Sequence, residues 1–202
     1  MEYSKIREVL KDEPKYRLDQ AKQAIFVDLL EDWGEVTSLP KKIRETLQRE
    51  CSLDINAEVS TSAKEDAVKA LITFSDGNAV ETVLMRHKGK HNTVCVSTQV
   101  GCPMGCAFCA TGKMGLVRDL SEDEMVAQVL YFVRYLKSQN ERVGSIVFMG
   151  MGEPFLNYDN VLRSIRVMHD PKTLNIGARH FSISTCGILD GIKNLAKEDL
   201  DI

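Results

Sequence analysis

No stretch of this chain stays apolar for the ~18–20 residues that a membrane-crossing helix needs, so a membrane protein is not expected. The N-terminus, Met1-Glu2-Tyr3-Ser4-Lys5, opens a mixed polar segment without the apolar region of a secretory signal. A cytoplasmic location is the default expectation. Cysteine is sparse, and six in 202 residues are too few for a disulfide scaffold. Low-complexity tracts and internal repeats are missing, which argues against a disordered tail or a solenoid. An excess of positive charge is missing too. The net charge of −3 does not announce a nucleic-acid binder. What remains, 44% hydrophobic and 27% charged residues, is ordinary globular composition. The length fits one domain, or a small domain plus part of a larger one.

One local absence says more than the net charge. From Thr82 to Arg118 there is no acidic residue, while Arg86, Lys88, Lys90, Lys113 and Arg118 are basic and His87 and His91 lie among them. Such a zone can face phosphates, or it can be a solvated stretch balanced by acids brought close in space.

Three of the six cysteines crowd into eight positions, Cys102-Pro-Met-Gly-Cys106-Ala-Phe-Cys109, a C-x3-C-x2-C spacing in a glycine-containing loop. Most [4Fe-4S] clusters take four cysteines, one per iron. Three thiolates leave the fourth iron open to a substrate or cofactor. The competing reading is zinc, with Cys95 or His91 as a fourth ligand. Zinc sites usually show two ligand pairs separated by a longer spacer, and here the ligands form one group. Phe108 either shields a cluster or fills core.

The chain divides by its periodicity. Residues 1–50 read as helical: apolar residues over 18–33 follow a 3.6 period up to Gly34, and Ser38-Leu-Pro-Lys-Lys opens a helix to about residue 49. Residues 67–74 and 79–85 read as strands joined by Ser75-Asp76-Gly77-Asn78, a hairpin signal. Residues 1–90 are therefore expected to form a small helical-plus-hairpin N-terminal domain. From there, 91–202 read as strand, loop and helix repeated. Strands are expected over 94–100, 143–149 and 180–185, and helices over 121–138, where Ser121-Glu-Asp-Glu124 is a capping box, 158–169 and 188–196. The fold class is α/β, three βα units of a parallel sheet or barrel. In such folds the chemistry gathers at the carboxyl ends of the strands. A barrel needs six or eight units, so the sequence is expected to be the N-terminal part of something longer.

All three strand ends carry unusual residues. The first leads into the cysteine loop. The second is Gly150-Met-Gly-Glu153-Pro154, where glycines let a ligand approach the backbone and Glu153 can accept a hydrogen bond from an ammonium. It can equally be a tight strand–helix turn. The third is Ser184-Thr-Cys-Gly187, whose hydroxyls on their own read as helix caps. Cys95 on its own reads as a core residue and Glu81 as a solvated hairpin carboxylate.

Taken together, Cys95-Val-Ser-Thr-Gln-Val-Gly-Cys102, Cys106-Ala-Phe-Cys109-Ala-Thr-Gly, Phe148-Met-Gly-Met-Gly-Glu153-Pro154 and Ser184-Thr-Cys-Gly187 resemble the RlmN/Cfr family of radical S-adenosylmethionine (SAM) methyltransferases. The match runs from about residue 80 to 187, with looser similarity earlier, in Leu39-Pro-Lys and the hairpin. The resemblance implies a partial (β/α)6 radical SAM barrel behind an N-terminal accessory domain, residues 1–90, that contacts RNA. It implies a [4Fe-4S] cluster on Cys102, Cys106 and Cys109, and SAM held by Gly152, Glu153 and Ser184. It makes Glu81 the proton acceptor and Cys95 the thiol that resolves a covalent RNA adduct. It implies methylation of adenine C2 in 23S rRNA, also in some tRNA, through a methyl-bearing cysteine carrier, with an electron donor such as flavodoxin or ferredoxin. The Cfr branch acts instead at C8, and Glu153-Pro154 favours the C2 branch. The carrier cysteine of the family lies in a C-terminal part that these residues do not match. A truncated iron–sulfur or RNA-binding protein without catalysis is the remaining alternative.

Overall fold

The structure, a computed structural model, describes residues 1–87 and 91–202. Helices α1 (Tyr3–Val9), α2 (Lys15–Lys22) and α3 (Lys41–Glu50) open the chain. A π-helical turn, Gln23–Val27, extends α2, and Leu29 then takes a left-handed backbone (φ 60°). The helix expected over 18–33 therefore stops early. The reversal lets Trp33 fold back into the core, 1% exposed, with its indole N–H donated to the Cys51 carbonyl at 2.7 Å. A buried indole needs such a partner. Helix α3 starts just after Pro40 and has no side-chain cap, so Ser38 is not the cap expected of it.

Strand β1 (Asn56–Thr61) was not legible in the sequence, because nearly all of its residues are exposed and no apolar alternation marks it. Strands β2 (Ala67–Thr73) and β3 (Ala79–His87) form the expected hairpin. Gly77 at φ 84° makes the turn, and Asp76 accepts the Asn78 N–H at 2.9 Å. Strand β4 (His91–Cys95) is antiparallel to β3, with Val83 opposite Cys95. Residues 88 and 90, two lysines of the basic zone, lie outside the described residues, as does the expected division of the chain at 90/91. The sheet itself runs across that point through the β3–β4 ladder.

The buried strand expected over 94–100 is two elements. β4 ends at Cys95, and β5 (Gln99–Cys102) pairs with β6 (Gly115–Asp119) in a separate two-stranded sheet. Helix α4 (Glu122–Lys137), strand β7 (Ser145–Phe148), helix α5 (Tyr158–His169), strand β8 (Phe181–Ile183) and helix α6 (Leu189–Leu195) complete three βα units. β4, β7 and β8 are parallel neighbours, and the main sheet has the order β1-β2-β3-β4-β7-β8. The α/β class and the partial barrel expected from the sequence are what the chain forms: an open, mixed sheet with helices against it.

Alternation in the strands explains where the core sits. Val68, Ala70, Ile72, Val80, Leu84, Val94, Ile146, Phe148 and Phe181 are buried, and they share one continuous core with the buried residues of α4, α5 and the N-terminal helices. The residues between them are Lys69, Leu71, Glu81, Val83, Met85, Cys95, Val147 and Ser182. They point to the other face and are exposed or half-buried. Helix α4 begins with the capping box read from the sequence. Ser121 Oγ accepts the Glu124 N–H at 3.3 Å, and Glu124 Oε2 accepts the Ser121 N–H at 2.8 Å. Arg118 then forks onto both Glu124 oxygens at 2.8 and 2.9 Å and reaches Asp76 at 2.6 Å. This joins β6, the hairpin turn and α4.

Candidate active site

Where β4 stops, two backbone groups of Glu81 lose the neighbour strand that would have paired with them. Side chains take its place. Ser97 Oγ donates to the Glu81 carbonyl at 2.6 Å, and the Glu81 N–H meets the Met151 sulfur at 3.5 Å. Ser97 Oγ also accepts the Met151 N–H at 2.8 Å. One buried serine thus ties the β3 end to the loop after β7. Its own peptide is clamped by the side-chain amide of Gln128 on α4, which accepts from Ser97 N at 2.8 Å and donates to Ser97 O at 3.0 Å. The Asn157 amide holds the carbonyls of Thr98 and Leu120 at 2.8 and 2.7 Å.

This polar knot was missed at the sequence level. The signal was Ser97-Thr98-Gln99, three polar residues inside a run otherwise read as a buried strand. All three are at most 1% exposed. Buried polar groups must be hydrogen-bonded, so the segment is a built junction and not a strand interior.

The glycines beside it have a packing role that the sequence did not announce. A Cβ on Gly150 would lie 2.6 Å from Ser97 Oγ and 2.8 Å from Ser97 N. Gly152 sits at φ 102°, where a Cβ would meet Gln99 Cβ and N at 2.7 Å. These glycines permit the close approach of the 96–99 segment.

Glu153 is 4% exposed. Its Oε1 accepts the Phe155 N–H at 3.0 Å, capping a short 3-10 turn (Pro154–Asn157), and its Oε2 accepts the Cys186 N–H at 2.8 Å. Burial alone would push this carboxyl up. Hydrogen bonds from the Cys186 backbone and thiol, the Phe155 N–H and the Thr185 hydroxyl outweigh it and hold the carboxyl below its usual value. Glu153 is therefore ionised near neutral pH and fastens the second strand end to the third. The Cys186 thiol is pushed up to about 11 by its hydrogen bond to Glu153, with burial adding to it. Ser184, just past β8, is exposed, and its N–H reaches the Phe148 carbonyl at 3.3 Å.

Glu81 and Cys95 share the open face of the sheet. Cys95 stands opposite Val83, so Glu81 is its diagonal neighbour, a separation of about 7–8 Å in an antiparallel ladder. Glu81 is half exposed and ion-paired with Lys69 at 2.8 Å. Cys95 is half-buried. Burial pushes its thiol up, opposed by the Met149 backbone N–H.

The three loop cysteines follow β5. Cys102 is buried, and Cys106 and Cys109 are half-buried and joined by a turn in which Cys109 N donates to Cys106 O at 3.0 Å. Cys109 is held below its usual value by the backbone N–H of Gly112, opposed by burial and helped by the backbone N–H and hydroxyl of Thr111. Phe108 is 94% exposed, so it is not core. Among the described residues no three His, Cys, Asp or Glu side chains converge closely enough to grip a metal ion. The donor set still fits an iron–sulfur cluster: three free thiols on one exposed loop that turns back on itself, with a Cβ at Gly112 already 3.0 Å from Cys106 N. It does not fit zinc through His91. That residue opens β4, roughly 13 Å of strand before Cys95, and bonds Ser145 at 3.2 Å.

The two arginines of the basic zone are balanced in space. Arg86 pairs with Glu141 at 2.9 Å, and Arg118 is taken by Asp76 and Glu124. Lys113 in the cysteine loop is exposed, with no ion pair among the described residues.

A three-cysteine loop on the β5–β6 hairpin that follows the first strand of a parallel half-barrel, with an ionised carboxylate after the second, defines a class, and comparison bears it out. The model of the radical SAM superfamily matches residues 96–202, and the chain belongs to that superfamily. Within it, the likeness is to RlmN-type RNA methyltransferases. The chain is 43% identical over 199 residues to the probable dual-specificity RNA methyltransferase RlmN of Dictyoglomus thermophilum, covering 98% of this chain and 57% of that protein. It is 41% identical over 199 residues to the ribosomal RNA large subunit methyltransferase N of Nitrosopumilus maritimus, covering 93% and 56%. The crystal structure of a radical SAM methyltransferase from Sphaerobacter thermophilus superposes with a TM-score of 0.92 at 38% identity, over 99% of this chain and 60% of that one. The chain thus spans a little over half the length of the relatives it matches. Superfamily membership implies SAM and a [4Fe-4S] cluster. No helix among the described residues is long and apolar enough to cross a membrane.

Proposed function

We propose that these residues are the N-terminal portion of a radical SAM methyltransferase that methylates C2 of adenine in 23S rRNA, and in tRNA. The carrying observation is the placement of Glu81 and Cys95 as diagonal neighbours on the open sheet face, at the end where the cysteine loop and Glu153 also lie. Cys102, Cys106 and Cys109 would hold the cluster, and Gly152, Glu153 and Ser184 would hold SAM. When bound, the pair supplies a radical able to take hydrogen from an unactivated methyl group. The chain's own residues do the rest. Glu153, ionised and buried, accepts the SAM ammonium. Glu81 takes the proton from the ring carbon, and the ion pair with Lys69 keeps its carboxylate on the open face. Cys95 supplies the second thiol, which frees the product by forming a disulfide with the methyl-carrying cysteine.

None of the six cysteines here matches that carrier. Cys51 is fully buried, and Cys186 is held as a neutral thiol against Glu153. Turnover therefore needs a carrier cysteine beyond these residues, and an electron donor such as flavodoxin or ferredoxin. The division into an RNA-contacting unit, 1–90, and a barrel half, 91–202, belongs to the same proposal. The test is to disrupt the gene and map methyladenines in 23S rRNA and tRNA by mass spectrometry. Loss of 2-methyladenine, restored by the intact gene, is expected. Unchanged 2-methyladenine refutes the reading, and loss of 8-methyladenine instead assigns the C8 chemistry.

A further inference from the structure

Gln99 is 1% exposed, and both ends of its side-chain amide are used. Nε2 donates to Asp119 Oδ1 at 2.7 Å, and Oε1 accepts the Glu153 N–H at 2.9 Å. The orientation is not free. A backbone N–H only donates, so the amide oxygen must face Glu153 and the amide NH2 is left to face Asp119. The Gln99 backbone N–H adds a bond to the Met151 carbonyl at 3.2 Å. Gly152, between the two bonded residues, lies where a Cβ would strike Gln99 at 2.7 Å. The loop bearing Glu153 is therefore held flush against one glutamine, at a φ only glycine adopts without strain.

The carboxylate of Glu153 is set by the Phe155 and Cys186 N–H groups, but the peptide from which that side chain springs is set by Gln99. We propose that Gln99, oriented by Asp119, is a positioning residue for Glu153 and through it for the ammonium group of SAM. This rests on the reading of Glu153 as the ammonium acceptor. It does not require Gln99 to touch SAM. A charged contact in a buried site is sensitive to shifts well under 1 Å, so a loosened peptide costs affinity even though the carboxylate is still present.

The test uses the complete enzyme, reconstituted anaerobically with iron and sulfide, and SAM binding by equilibrium dialysis. Gln99→Glu keeps an acceptor for the Glu153 N–H but sets a carboxylate against that of Asp119. Adding Asp119→Asn returns a donor to that contact. The expected result at pH 8 is SAM affinity lowered about tenfold in Gln99→Glu, the scale of one lost hydrogen bond, and restored to within about threefold in the double variant. Iron per chain stays constant throughout. Asp119→Asn alone stays near wild type, since the asparagine keeps an oxygen for Nε2. Lowering the pH from 8 to 6 recovers part of the loss in Gln99→Glu only, because facing carboxylates share a proton. Wild-type affinity in Gln99→Glu, or a loss that Asp119→Asn does not restore, overturns the proposal.

Two further measurements separate it from the reading it rests on. Unchanged SAM affinity in Glu153→Gln refutes the role of Glu153, whatever Gln99 does. Hydrogen exchange at the Glu153 amide, measured without cofactors, is expected to be slow in the wild type and fast in Gln99→Ala. Equal rates overturn the hold of Gln99 on that peptide whether or not SAM binds.

Discussion

Burial pushes two thiols up, Cys95 on the open face of the sheet and Cys51 in the core. To resolve a covalent adduct Cys95 must be a thiolate, so the release step is expected to quicken as pH rises above neutral. In the complete enzyme, Cys95→Ala is expected to keep cluster and SAM but to stall with protein joined to RNA. The stalled species would run as a nuclease-sensitive band on a denaturing gel. A variant that methylates at the normal rate without that band reduces Cys95 to packing. Cys51, by contrast, is fully buried beneath Trp33 and is pushed up to about 11, chiefly by burial. Between pH 9 and 11 the unfolded chain loses this proton and the folded chain keeps it. Stability should therefore fall as pH rises through that window, by at most about 1.4 kcal/mol per pH unit from this one group. Urea titrations across it should show a shallower decline in Cys51→Ala than in the wild type.

At the scale of elements, the β5–β6 hairpin presents the cysteine loop, and one residue makes the hairpin possible. Gly101 has φ 75° at the register shift between Val100 and Gly101, and a Cβ there would lie 1.9 Å from the Gly115 carbonyl. Nothing flexible can move aside, because the obstacle is backbone. Gly101→Ala is expected to open the hairpin and lower iron uptake on anaerobic reconstitution. The cost is about 1–3 kcal/mol for the strained backbone, plus the clash. Absorbance near ~400 nm and iron per chain give the readout. A fully loaded variant would mean that the loop holds its shape without this turn. The glycines after β7 act alike: Gly150 and Gly152 let one segment lie against another.

Over the whole molecule, one sheet carries both the hairpin and the parallel strands, and one core lies behind it. Leu84 on β3 is fully buried in that core. Leu84→Ala is expected to cost about 2–5 kcal/mol, the range for a truncated core leucine. Because β3 pairs with β2 on one side and β4 on the other, the loss should lower a single calorimetric transition. A variant in which only part of the heat signal shifts would show that the hairpin and the βα units melt independently. The opposite face of the sheet, with Val83, Met85, Cys95 and Val147 half-buried on it, lies away from that core.

The sequence by itself determined the elements whose signals are local. The capping box fixed the start of α4, the Ser75-Asp76-Gly77-Asn78 turn marked the hairpin, and α5 over Tyr158–His169 followed from its apolar period. Cysteine spacing pointed to cluster chemistry, because ligand number is a property of the chain and not of its packing. What only the tertiary structure decided is who neighbours whom. The splitting of 94–100 at Cys95, the reversal at Leu29 and the strand β1 depend on partners distant in sequence. So do the ion pairs that neutralise Arg86 and Arg118, and the service of Gly150 and Gly152 to the 96–99 segment. Gln99 shows the reason plainly. Its chemistry is legible as a letter, but its role follows from two partners, one 20 and one 54 residues away, and that proximity exists only once the sheet has formed.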